Sequence, residues 1–391
     1  MQAGKGSDDS GKDGARTPWW ISKRQVLLDI AGQHLNAYVY DLDTVREAAR
    51  DLMAMRAVGR ILYAVKANCN DSVIRTLAEA GVDFDCVSPG EVRRLRTVLG
   101  DAVEGRILFT PNFAPREEYE WGIREGVRVT LDNLYPLRHW PEIFQGQEIF
   151  VRMDPDHGGG HHDHVVTAGA ASKFGISLEE VGELVELGRT AGARIIGVHA
   201  HSGSGILDPA NWESVARTLR EVAGRFPDVR VLDLGGGIGV PDRRGDAPFD
   251  LQALDRRLLQ VKKDYPDYEL WLEPGRYLVS AAGVLLTHVT QTKRKGPHRY
   301  VGVSTGLNAL IRPALYNAYH EIINLTQIDA PATEPVTVVG PICESGDKFG
   351  SERLLPACEE NDVVIIANTG AYGYTMSSRY NLRDRPPEIS I

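Results

Sequence analysis

Short apolar runs recur along the first 280 positions, each followed by a polar or helical stretch. Ile61–Val65, Phe84–Val87, Arg106–Phe109, Val127–Leu131, Ile149–Met153, Arg194–His199, Val229–Leu234 and Glu269–Leu272 read as strands. Apolar residues at helical spacing fill most intervals, as in Ser72–Ala80, Pro89–Leu99 and Leu178–Ala191. Strands alternating with helices imply parallel βαβ units, and eight of them in about 220 residues fit a closed (β/α)8 TIM barrel better than an open sheet. Past residue 281 the pattern changes. Gly283–Gln291, His298–Val303, Pro335–Val339 and Asp362–Ala367 are β-branched runs broken by Gly and Pro, with a helical stretch around Ala314–Asn324. A second, β-rich domain is predicted, a sandwich or small barrel. Near the start, Gln25–Gln33 has helical spacing and Ala37–Tyr40 reads as a strand.

The fold class is therefore α/β plus β. A flexible tail covers 1–17, the barrel 37–280, and the β-rich domain 18–36 together with 281–391. The tail is rich in Gly, Ser and charge, the composition of a segment with too little apolar surface to fold.

Composition narrows the function. The 391 residues are 42% hydrophobic and 25% charged, as in soluble globular proteins. A net charge of −9 without a basic stripe argues against nucleic acid. No apolar run approaches the roughly 18 residues of a membrane span, and the start lacks the apolar core of a signal peptide. Cys69, Cys86, Cys343 and Cys358 show no CxxC spacing, so neither a disulfide scaffold nor a zinc site is implied. A reducing, cytoplasmic compartment is expected.

Reactive groups of a barrel gather at the C-terminal ends of its strands, because the following loops open into one mouth. Just past the strands stand Lys66, Ser88, Thr110, Asp132, Asp154, His201, Gly235 to Gly237, and Glu273 to Arg276. For Ser88, Thr110 and Asp132, capping of the next helix is the preferred reading. Lys66 ends an apolar run. Desolvation there lowers a lysine's pKa and makes its neutral amine a nucleophile for carbonyls, although a strand-end lysine can simply snorkel into water. Gly235, Gly236 and Gly237 suit either a phosphate cradle or a tight turn, and Gly275 after the eighth strand would complete the cradle. Glu273 is suited to holding the proton of a pyridine nitrogen, and Arg276 to gripping a carboxylate; a mutual surface ion pair is the plain alternative.

His199 and His201 share a face if the strand extends that far, and no third ligand at matching spacing supports a metal. A flat imidazole stacked on a planar ring is the functional reading for this pair. His157, His161, His162 and His164 are read as a mobile loop, not a metal site. Cys343, beside Glu344, could shuttle a proton or lie inert. Arg312 is a further anion-binding candidate, and the glycine-flanked Tyr372 suits contacts to phosphate or substrate.

Taken together, YAVKAN, DFDCVSPGE, HAHSGSG, LDLGGGIG, EPGR, RPALYNAYH, GPICESGD and GAYGYTMSSRYNLRDRP, in that order, resemble the fold-type III pyridoxal-phosphate decarboxylases, the diaminopimelate decarboxylases most of all. The resemblance runs from about Tyr38 to Ile389. It implies pyridoxal 5'-phosphate joined to Lys66 as a Schiff base, with His201 stacked on its ring and Glu273 at the pyridine nitrogen. The phosphate would lie against Gly235, Gly236, Gly237, Gly275, Tyr372 and Ser204. Arg276, next to the cofactor, would with Arg312, Tyr316, Glu344 and Tyr372 read the far end of an amino-acid substrate. Cys343 would act across the interface of a homodimer with shared sites. The implied reaction is decarboxylation of meso-2,6-diaminopimelate to L-lysine and carbon dioxide, the last step of lysine biosynthesis.

Two other readings stay open: a decarboxylase of ornithine, arginine or carboxynorspermidine, and an inactive binding protein on the same fold. Many relatives carry an acidic residue a few places before RPALY, where this chain reads Val303 to Asn308 without one; that bears on substrate fit. The polar tail also fits excision from a fusion with an aspartokinase.

Overall fold

The structure is a computed structural model and describes residues 17–155, 159–160 and 172–391. The expected tail and the histidine-rich stretch with His157, His161, His162 and His164 lie outside the described residues, apart from Thr17.

All eight predicted barrel strands form. They are β1 (Arg60–Ala64), β2 (Asp83–Cys86), β3 (Ile107–Phe109), β4 (Arg128–Leu131), β5 (Glu148–Arg152), β6 (Arg194–His199), β7 (Val231–Asp233) and β8 (Glu269–Leu272). They pair in parallel in chain order, and β8 closes on β1 through Trp271↔Arg60 and Leu272↔Ile61. Local sequence places the helix starts. Asp41, Asn70 and Ser88 cap the helices Leu42–Met53, Asp71–Glu79 and Pro89–Leu99 by accepting backbone N–H bonds from Thr44, Ser72 and Glu91. Helix residues such as Val45, Leu52, Leu77 and Leu95 bury their apolar stripe against the outer face of the strands.

The barrel floor is a plug of Leu62, Leu108, Phe150, Ile196, Val231 and Trp271. The Phe150 and Trp271 rings stack 5.3 Å apart. Gly197 makes room for them, since a Cβ there would collide with the Phe150 ring. Side chains alternate along a strand, so two residues beyond a plug position the next side chain again points inward, one layer nearer the mouth. Leu62 is followed by Ala64 and then Lys66, Leu108 by Thr110, Phe150 by Arg152, Val231 by Asp233, and Trp271 by Glu273 and Gly275. On these five strands periodicity lifts the chain from an apolar floor to a layer of chemistry. On β6, whose pairing with β5 shifts register between Ile149 and Phe150, Ile196 is followed by the core residue Val198, and it is His199 that reaches the cavity.

The second domain is one mixed sheet of eight strands. Its longest strand, Gly283–Lys295, shifts register between Val289 and Gln291. Before the shift it pairs with Ala37–Tyr40 and Val363–Ile366; beyond it, with His298–Val303. Ala37–Tyr40 therefore lies in this sheet and not in the barrel, with all four residues buried between layers. The early helices pack on the same sheet, where Trp20, Leu27 and Ala31 meet Val39, Leu286 and Ile365.

Two further details depart from the sequence reading. The stretch Ala314–Asn324 is not a helix. A five-residue helix, Arg312–Tyr316, ends at the left-handed Asn317, and Ile322–Asn324 is a strand. Lys348–Leu355 is a strand that periodicity missed, because it pairs on one side only and keeps polar residues in solvent.

The domains meet at the end of β1. Tyr372 N–H donates to Ala67 O at 2.8 Å, and the Asn68 amide donates to Gly370 O at 2.9 Å. This brings Tyr372 over the barrel mouth.

Candidate active site

A cavity of about 330 Å³ opens above the plug. Of the predicted site residues, Lys66, His201, Ser204, Gly237, Glu273, Gly275, Arg276 and Tyr372 line it. Asp85, Thr110, Asn112, Arg152 and Phe174 join them without having been foreseen.

Lys66 reaches the cavity with its side chain 40% exposed, and its Nζ lies 2.6 Å from Asp85 Oδ2. Burial works to lower its pKa, but Asp85, Tyr372 and Glu273 outweigh that and hold the ammonium above its ordinary value. The expected neutral amine is thus corrected: the free lysine is charged because a carboxylate from the neighbouring strand faces it. Thr110 Oγ1 donates to the other oxygen of that carboxylate, so Thr110 is a site residue and not a cap. Asp132 accepts from Gly175 N–H and faces Arg152 at 3.5 Å, which also displaces the capping reading. Ser88 alone of the three is a cap.

Glu273 Oε2 lies 3.0 Å from His199 Nε2, both residues being buried. Burial alone would raise the Glu273 carboxyl, yet His199, Lys66 and His201 bring it down to about 2. Its second oxygen, Oε1, is buried with no hydrogen-bond partner. Gly236 N–H donates to His201 Nδ1 at 3.1 Å, so the hydrogen of a neutral ring sits on Nε2. Desolvation, with Arg152 and Lys66 nearby, pushes the His201 imidazole down to about 3, leaving a flat neutral face.

The glycine triplet divides its work. Gly235 N–H donates to Asp233 Oδ1 and Gly236 N–H to His201, so these two shape the wall from behind. Gly237 itself faces the cavity, at φ 95°, where a Cβ would strike Gly203 O. Across from it, a Cβ on Gly275 would crowd Ala64, Ala67 and the Tyr372 hydroxyl at 3.2 Å. Arg276 donates to Ser204 Oγ at 3.1 Å and stacks 5.2 Å from the Tyr372 ring centroid.

Arg312, buried on its short helix, stands behind Arg276; burial and Arg276 push it down to about 10. It and the half-buried Tyr316 do not line the cavity. Neither Cys343 nor Glu344 lines it either. Both are exposed; Cys343 N–H donates to Asn381, and Glu344 accepts from the Tyr380 hydroxyl.

These groups fit pyridoxal phosphate. An amine, an orphaned buried carboxylate oxygen, a flat imidazole and a wall of Cβ-free backbone suit, in turn, an aldehyde, a pyridinium, an aromatic ring and a phosphate. Asp85 and Arg152 escaped the sequence reading because both lie within their strands, Asp83–Cys86 and Glu148–Arg152, and attention went to the residues past the strand ends. A charge two residues on from an inward apolar position, as Arg152 is from Phe150, was the available signal.

Residues 42–280 match the pyridoxal binding domain of the pyridoxal-dependent decarboxylases, and the chain belongs to that class of enzyme. The diaminopimelate decarboxylase of Methanothermobacter thermautotrophicus is 38% identical over 90% of this chain and 86% of its own length. That of Deinococcus radiodurans is 35% identical over 94% and 93%. The crystal structure of the Helicobacter pylori diaminopimelate decarboxylase complexed with L-lysine superposes with a TM-score of 0.83 at 30% identity, covering 93% of each chain. Within the class, the chain belongs to the diaminopimelate decarboxylases. Such coverage of the curated relatives leaves too little of them for a kinase domain, so the expected aspartokinase fusion finds no support there. Among the described residues no helix is long and apolar enough to cross a membrane.

Proposed function

We propose that the protein releases carbon dioxide from meso-2,6-diaminopimelate to give L-lysine, the last step of lysine biosynthesis, as a cytoplasmic homodimer with shared sites. The observation that carries the substrate choice is the pair Arg276 and Arg312. Both are largely buried; among the described residues Arg276 donates to the Ser204 hydroxyl, and neither arginine has a carboxylate within ion-pair distance. Asp242 is the carboxylate that acts on both without pairing to either, so an anionic far end of the substrate would complete the neutralisation of the two cations. Diaminopimelate has a distal carboxylate; ornithine and lysine have only an ammonium there.

Bound at Lys66, pyridoxal phosphate supplies the electron sink for the pair left behind as carbon dioxide departs. Glu273 would hold the ring-nitrogen proton, the neutral face of His201 would stack on the ring, and Gly237, Gly275, Ser204 and Tyr372 would hold the phosphate. Asp85 favours a proton on Lys66 Nζ whenever that amine is free, so Lys66 would be a proton donor to the product. Arg276 on the cavity wall would grip the distal end, with Arg312 and Tyr316 next to it, and Glu344 of a second copy would meet the ammonium. Cys343 of a second copy is the other proton source, and the exposure of Cys343 at the surface supports that reading.

Product identification tests the proposal. Carbon dioxide and L-lysine are expected from the meso substrate, and none from ornithine or L-lysine. Turnover of ornithine alone would overturn it.

A further inference from the structure

At the cavity wall His199 and Glu273 form a buried set with Asp233 behind them, and the ligand atoms of the three all fall within 4.8 Å of one another. His199 is 2% exposed and Asp233 fully buried. His199 Nε2 approaches Glu273 Oε2, and because a carboxylate only accepts, Nε2 carries the hydrogen. Asp233 is steered by Gly235 N–H, on the loop that follows its own strand. Three atoms of the set, His199 Nδ1, Asp233 Oδ2 and Glu273 Oε1, are buried without partners.

We infer that His199, braced beside Asp233, is a positioning residue that fixes the Glu273 rotamer and its negative charge, so that Oε1 faces the cofactor ring nitrogen. Glu273 stands just past a strand end, and its side chain is held between His199 Nε2 and the neighbouring Asp233. Without the His199 hydrogen, two carboxylates would share a dry space, and one of them would take up a proton. With His199 in place, burial and Glu273 push Asp233 well above the usual carboxylate range, so the proton rests on Asp233; without the His199 hydrogen it can pass to Glu273 instead. A protonated Glu273 would no longer favour a protonated ring.

This rests on the assignment of pyridoxal phosphate to the cavity. The test compares affinities of the apoprotein for pyridoxal phosphate and for the analogue whose ring nitrogen is replaced by CH, measured by absorbance titration. The native protein is expected to prefer pyridoxal phosphate, since only it can pair with Glu273. His199→Phe should reduce that preference about tenfold, the value of one charge-assisted hydrogen bond. His199→Gln, which keeps an N–H near the Nε2 position, should restore most of it. His199→Asn, whose amide stops short of Glu273, should behave like the Phe variant and serves in its place if Phe does not fold. Equal weakening of both ligands, or an unchanged ratio, would mean that His199 is only packing and would overturn the inference. A native protein that binds neither ligand would overturn the cofactor assignment itself.

Discussion

Lys66 has to lose a proton before its amine can capture an aldehyde, and Asp85 opposes that loss. The direction of the pH dependence follows. With Asp85 present the ammonium persists above the ordinary lysine range, so the nucleophilic fraction rises only at high pH. Asp85→Asn removes the attraction and leaves the burial. The pKa then falls, and the pH midpoint for cofactor capture by the apoprotein should move downward by about one to three units. Stopped-flow absorbance at graded pH checks this; a midpoint that stays or rises refutes it. Lys66→Ala should abolish decarboxylation and remove the absorption band near roughly 420 nm expected of a cofactor imine. Normal turnover by that variant would end the mechanism. Arg276→Ala should mainly raise KM for the meso substrate, since it removes a contact made before and during reaction alike; steady-state kinetics with kcat falling at constant KM would contradict it.

At the scale of elements, the strand-to-loop junctions carry the site. The loop after β7 needs a left-handed backbone at Gly237 and no side chain towards Gly203 O. Gly237→Ala should cost about 1–3 kcal/mol of stability and weaken cofactor binding, read by urea unfolding and cofactor titration. Unchanged values for both would show the loop to be more tolerant than its geometry implies. The same junctions explain what was legible in the sequence. Buried parallel strands are apolar on both faces, so all eight stood out, and Lys66, His201 and Glu273 stood just past their ends. Asp85 and Arg152 were hidden because a strand's text does not say which face is inward until the register is known. Ala314–Asn324 misled because its apolar spacing is helical, while the turn at Asn317, which stops the helix, looks in the text like any polar residue.

In the whole molecule, the groups proposed for one reaction do not all line one cavity. Lys66 faces the barrel mouth and Cys343 lies on the surface. If two copies share each site, mixing Lys66→Ala with Cys343→Ala subunits and letting them reassort should restore about a quarter of native activity, because half the dimers are mixed and each has one intact site of two. Activity no greater than the sum of the separate variants would exclude a shared site. Sequence could not reveal such sharing, since a subunit boundary leaves no mark on periodicity.

The pairing of Ala37–Tyr40 with both Gly283–Lys295 and Glu388–Ser390 has a consequence for the order of synthesis. Tyr40 waits for Gly283, and Tyr38 for Glu388, so the early strand emerges with both edges bare. Closing so long a loop through a disordered chain is entropically slow. A barrel that folds first shortens the gap and delivers Gly283 to its partner, which makes the catalytic unit a folding jig for the sheet that clasps its two flanks.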